Sequence, residues 1–163
     1  MDFLDRLSRL LNQVLMWIAG CFLGTMILLT CANVFSRAVW VPIRGAFELM
    51  GYFGAIVTAF ALGYTQIRRG HIAVDILILG FSKKTQRVLN GVNNFICTIF
   101  FSVLAWQVAK LATTLWKTGE VTETLLIIYY PFTYGVALGC AALSLVFLTD
   151  FLKSFVQNEE GEK

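Results

Sequence analysis

The chain has 163 residues, of which 58% are hydrophobic and 14% charged, with a net charge of +3 and a mean hydropathy of +0.73. Soluble domains are nearer half apolar and a quarter charged, so the composition points to lipid as the solvent. The placing of the charges excludes a water-soluble domain: none falls within Leu10–Ser36, Leu49–Ile67, Val88–Ala109 or Leu125–Thr149. The modest positive charge is spread over loops, which argues for membrane orientation and against nucleic-acid binding.

Each charge-free stretch meets or exceeds the roughly 18 apolar residues that cross a hydrocarbon core of about 30 Å. The predicted fold is therefore an all-α membrane protein, one domain over residues 1–163, with spans near 14–35, 49–67, 88–109 and 125–149. Met1 to about Gln13 is predicted as an N-terminal amphipathic helix. Phe3, Leu4, Leu7, Leu10, Leu11 and Val14 recur at helical spacing, opposite Asp2, Asp5, Arg6 and Arg9. It either lies in the membrane interface or extends the first span as a plain helix. The apolar run after it is too long for a signal-peptide core and lacks a small-residue cleavage site, so a retained first span is expected.

Between spans one and two, Pro42 and Gly45 mark a short helix-breaking loop. The second span carries a small-residue stripe, Gly51, Ala55, Ala59 and Gly63. Shorter motifs occur as Gly20/Gly24 in the first span and Gly135/Gly139 in the fourth. Small residues let helices approach closely in lipid, within a chain or against a partner. The segment from Arg68 to Arg87 holds an apolar run too short to span, which predicts an interfacial or re-entrant segment between helices two and three. A polar loop follows from Lys110 to Thr124, and a polar tail from Asp150.

Four crossings place both termini and the middle loop on one side. That side carries nine Lys and Arg residues and the other four, so both termini are expected in the cytoplasm. Trp40, Trp106, Trp116, Tyr129 and Tyr130 then gather near the outer interface, where amphipathic rings are favoured.

No catalytic apparatus is visible. Cys21, Cys31, Cys97 and Cys140 are isolated within the spans, unlike the accessible pairs of thiol oxidoreductases. A single histidine, His71, cannot supply a haem's axial pair, and no His–Cys–carboxylate set forms a metal site. Neither cofactor nor metal is expected. Five polar residues at membrane depth are candidates for structural or partner contacts: Asn33, Arg37, Glu48, His71 and Asp75. Arg37 and Glu48 either pair near the outer ends of the first two spans or reach separately to headgroups. His71 and Asp75, four residues apart, either pair on one helix face or act as a local cap.

Certain stretches resemble a known family. The first span ends Asn33-Val34-Phe35-Ser36-Arg37, and Phe47-Glu48-Leu49 opens the second. The second leads into Tyr64-Thr65-Gln66-Ile67-Arg68-Arg69-Gly70-His71-Ile72-Ala73-Val74-Asp75. Together with Tyr130-Pro131-Phe132 before the fourth span, these resemble the DctQ-type small membrane subunit of tripartite ATP-independent periplasmic (TRAP) transporters. The Gly-His-Ile-x-Val-Asp stretch is the most specific part. The resemblance implies a bacterial inner-membrane scaffold beside a large multi-span permease subunit. That permease would carry an organic anion, often a dicarboxylate, sialic acid or similar, inward with sodium after capture by a periplasmic substrate-binding protein. Many members have two adjacent acids before the second span, whereas Ala46-Phe47-Glu48 leaves one, so a role needing a carboxylate pair is not expected. Two other readings are a small homo-oligomeric exporter and an accessory subunit of a respiratory enzyme. Glu48, at an interface and not at mid-bilayer, is a poor proton-coupling carboxylate for the exporter.

Overall fold

The computed structural model describes residues 2–68 and 83–160. Four helices account for most of them: α1 (Asp2–Val39), α2 (Ala46–Ile67), α3 (Lys83–Thr118) and α4 (Tyr130–Glu160). All four are long and apolar enough to cross a membrane. The predicted interfacial segment, with His71 and Asp75, lies outside the described residues.

α1 runs without a break from Asp2, so the N-terminal amphipathic stretch is an extension of the first span and not a separate helix. At 38 residues it is about 57 Å long, well beyond the roughly 30 Å of a hydrocarbon core. Its inward face is Ser8, Asn12, Leu15 and Ala19, all buried, while Leu10, Val14 and Trp17 point outward. Ser8, Asn12 and Ala19 thus share the inward face with Leu15, while large apolar side chains also cover the outward face, which fits lipid surroundings.

α4 is the central helix. It packs along α2 and α3 and touches α1, while α3 leans mainly on α4. Half of the most apolar window of α4 is buried, against 6% for α3. Leu15, Ala19, Ile56, Ala59, Phe60 and Ala142 form the core where α1, α2 and α4 meet. Between α3 and α4, Phe101 stacks on Phe147 at 5.7 Å, and the Ser102 and Ser144 hydroxyls share a hydrogen bond of 2.7 Å.

The small residues divide by position. A Cβ on Gly139 would lie 2.6 Å from the Ala59 carbonyl oxygen, so α2 and α4 cross there backbone to backbone. Gly63 receives the Asn12 side chain, whose amide nitrogen donates to the Ser8 carbonyl at 2.8 Å. A Cβ on Gly135 would make ordinary contact with Ile56, whereas Gly20, Gly24 and Gly51 face open space. Within the α2 stripe, Ala59 and Gly63 are buried but Gly51 and Ala55 are exposed. A spacing of four residues on a helix of 3.6 per turn drifts about 40° per step, so such a stripe rotates out of the seam.

Candidate functional site

The most developed polar structure lies at the end of the bundle where α1 finishes, α2 begins, and α3 passes to α4. Pro42 and Gly45 prevent α1 from continuing into α2, and the chain turns through Gly45 at φ 74°, a left-handed conformation that glycine accepts most readily. Asn33, buried on α1, accepts a hydrogen bond from the Ile43 amide at 2.9 Å and fixes the turn to the helix it leaves. The Ser36 hydroxyl donates to the Val41 carbonyl at 2.5 Å. Turn and helix are thereby one unit.

Glu48, in the first turn of α2, reaches across to the α3–α4 loop. One carboxylate oxygen accepts from the Thr124 amide at 2.9 Å and the other from the Leu125 amide at 3.2 Å. A carboxylate is suited to both neighbours: it takes amide donors at charge-assisted strength and sits favourably at the positive end of a helix. The Leu125 side chain covers Gly45, so an apolar contact backs the polar one.

The loop is itself closely tied. Buried Thr122 donates its amide to the Ile127 carbonyl at 2.9 Å, and its hydroxyl accepts from the Ile127 amide at 3.1 Å. Val121 and Ile128 form an antiparallel bridge, with Gly119 and Leu126 at positive φ on either side of the turn. α4 therefore opens at Tyr130, although the charge-free stretch opens at Leu125. Tyr52 anchors the next layer, stacked on Phe132 at 4.8 Å and edge-on to Tyr129 at 5.6 Å.

Of the residues singled out from sequence, Asn33 and Glu48 both belong to this clasp. Arg37 does not join Glu48. It is exposed in the last turn of α1, and no ion pair links the two. In place of the charge pair, one of the two alternatives read from the sequence, loop amides whose N–H groups have no helical partner take the carboxylate. Among the described residues, the ion pairs lie at the opposite end, where Asp5 meets Arg9 at 3.1 Å and Lys153 of α4 at 2.6 Å. Thr122 and the amides of Thr124 and Leu125 were not foreseen. The turn-forming composition of Gly119-Glu120-Val121-Thr122-Glu123-Thr124 is the only sequence signal that marks them.

The clasp holds segments together and offers no reacting group. Its carboxylate is taken up by the Thr124 and Leu125 amides, with the Thr122 and Thr124 hydroxyls also beside it. Among the described residues, no three His, Cys, Asp or Glu side chains gather to hold a metal ion. Cys140 is buried in α4, whereas Cys21 and Cys31 face outward.

Compared with known proteins, residues 26–157 match the family model described as the DctQ component of tripartite ATP-independent periplasmic transporters. No curated protein and no solved structure matches the chain. The matched region begins within α1, runs far into α4, and takes in the whole clasp. With the match covering most of a chain of four membrane-spanning helices, the protein belongs to the DctQ family of TRAP transporter components, a family of transport subunits and not of enzymes.

Proposed function

We propose that this chain is the small scaffold subunit of a sodium-coupled TRAP transporter importing an organic anion such as a dicarboxylate or sialic acid. A large multi-span permease subunit carries anion and sodium, and a periplasmic substrate-binding protein delivers the anion. The observation that carries this reading is the DctQ match over residues 26–157.

The filled interior supports a holding role. Leu143 and Val146 of α4 are almost wholly enclosed, and a cavity of about 30 Å³ between the start of α1 and the end of α4 has room for about one water. An organic anion needs a site roughly ten times larger. The excess of Lys and Arg at the terminal end supports an inner-membrane orientation with both termini cytoplasmic. The Glu48 clasp then faces the periplasm, where it supports a loop within reach of the binding protein.

Reconstitution tests the reading. The subunit alone in vesicles with an inward-directed sodium gradient should take up none of a panel of organic acids, and addition of the cognate permease and binding protein should give sodium-driven uptake. Uptake by the isolated chain, or self-assembly into a conducting oligomer, would discard the scaffold role. Co-purification with redox cofactors would favour a respiratory assembly instead.

A further inference from the structure

At the terminal end of the bundle, between α1 and α2, lies an open groove of about 250 Å³ lined by Arg9, Gln13, Tyr64, Ile67 and Arg68. Arg9 immediately precedes the charge-free stretch that opens at Leu10, and Arg68 immediately follows the one that closes at Ile67. Both guanidinium groups therefore stand where hydrocarbon gives way to water, the level of lipid phosphates.

Their donors are only partly engaged. Arg9 gives its Nε to Asp5, but the other oxygen of that carboxylate is taken by Lys153 at 2.6 Å, so one negative charge serves two cations. Arg68 gives its Nε to the neutral Tyr64 hydroxyl at 3.2 Å, with its guanidinium carbon 5.5 Å from the ring centroid. The ring orients the guanidinium without neutralising it. The terminal nitrogens of both arginines and the Gln13 amide meet no protein acceptor among the described residues.

Below the groove the same face of α1 continues through Trp17, which is 74% exposed, to Gly20 and Gly24, where an added Cβ would meet nothing. A positive pocket at headgroup level thus stands above a smooth apolar track running into the membrane. We infer that this groove binds the phosphate of an anionic phospholipid such as phosphatidylglycerol, with an acyl chain lying along Trp17, Gly20 and Gly24. Arginine forks match phosphate oxygens bidentately, and basic pockets between helices at the membrane surface are suited to anionic headgroups. The track commits the site to a lipid, because free phosphate would use only the groove. The inference requires that the helices span a bilayer and is independent of what the transporter carries.

The test is titration of the purified full chain, in neutral detergent, with phosphatidylglycerol, phosphatidylcholine or inorganic phosphate, counting bound molecules by native mass spectrometry. Phosphatidylglycerol should bind in preference to phosphatidylcholine and resist displacement by inorganic phosphate. Each basic residue near an anionic group is worth roughly a fivefold factor, so Arg9→Gln with Arg68→Gln should weaken phosphatidylglycerol binding about thirtyfold. Arg9→Lys with Arg68→Lys, which keeps the charge and loses the fork, should fall between the parent and the double glutamine variant. Arg44→Gln with Lys117→Gln, at the opposite membrane face, should change it by less than about twofold. If the double glutamine variant does not fold, Arg68→Gln alone, expected about fivefold weaker, decides the matter. Equal binding of the two lipids, full displacement by inorganic phosphate, or an equal loss in the Arg44/Lys117 variant would each overturn the proposal.

Discussion

Replacing Gly139 with alanine tests the packing of α2 on α4 at its tightest point. The new Cβ would lie 2.6 Å from the Ala59 carbonyl oxygen, 2.7 Å from the carbonyl carbon and 2.8 Å from the Ala59 Cβ. Ordinary contact begins near 3.4 Å, so the helices must part by roughly 0.6–0.8 Å. Most of the obstruction is backbone, and no rotamer change relieves it. A gap of that size forfeits about a quarter to a half of the dispersion energy of each contact it opens. Overpacking of this kind typically costs about 1–3 kcal/mol, and in lipid no exclusion of water compensates for the lost contacts. Gly135→Ala and Gly51→Ala are the controls, since the first would make ordinary contact with Ile56 and the second would meet open space. The assay heats all three variants in one detergent and measures the fraction that remains monodisperse on size exclusion. Gly139→Ala should lose its fold at the lowest temperature, with Gly51→Ala indistinguishable from the parent. Equal midpoints for Gly139→Ala and Gly51→Ala would refute the close approach.

Glu48→Ala should release the loop over residues 119–129, seen as faster nicking there by added protease. Arg37→Ala should not, and a double variant milder than the sum of the singles would reinstate an ion pair between them. Asp5→Asn removes the negative charge shared by Arg9 and Lys153, both partly exposed, so thermal stability should fall by no more than about 1 kcal/mol and the difference should shrink in high salt. A loss above about 3 kcal/mol would mean the pair is far more buried than its exposure indicates. A cytoplasm-specific reporter fused at the C-terminus should be active, as should a periplasm-specific one placed between Lys110 and Thr124. The reverse pattern at both sites would invert the proposed orientation.

The four spans were legible because lipid imposes a coarse rule: a helix crossing it must be free of charge over a known length. Where each helix ends is decided by finer chemistry. Leu125–Ile128 read as the start of a span because they are apolar, yet they lie in the loop. Thr122 supplies local hydrogen bonds there, and Glu48 captures the amides of Thr124 and Leu125. Asn33 and Glu48 were recognisable as polar residues at membrane depth, but their partners were not. Those partners are backbone groups, and a backbone amide has no letter in the sequence. Both alternatives for Glu48, a pair with Arg37 or a reach to headgroups, followed its charge and left out the unsatisfied donors of a nearby loop. The α2 stripe was visible in full, but which half would be buried depends on how α4 and α1 meet it, information carried by Gly139 and Asn12 on those helices.

The placing of the polar contacts bears on how such a bundle could serve as a fixed support. At the terminal end Lys153 of α4 holds Asp5 of α1, and at the other end Glu48 of α2 holds the loop that leads directly into α4. The α1–α2 pair is therefore fastened to α4 near both membrane faces. Between the fastenings the α1–α2–α4 seam is dominated by apolar and small side chains, with the buried Ser8–Asn12 pair near the terminal end. Dispersion alone permits sliding along a smooth seam, because each small displacement exchanges one contact for another of similar energy. Directional bonds at the two ends remove that freedom, since any slide breaks them without forming equivalents. α3 is attached differently, through its seam with α4, where the Ser102–Ser144 and Thr113–Tyr134 hydroxyl pairs add hydrogen bonds of 2.7 and 3.0 Å. α3 also runs directly into the loop that Glu48 holds, so displacing it would strain that fastening as well as break its own seam with α4.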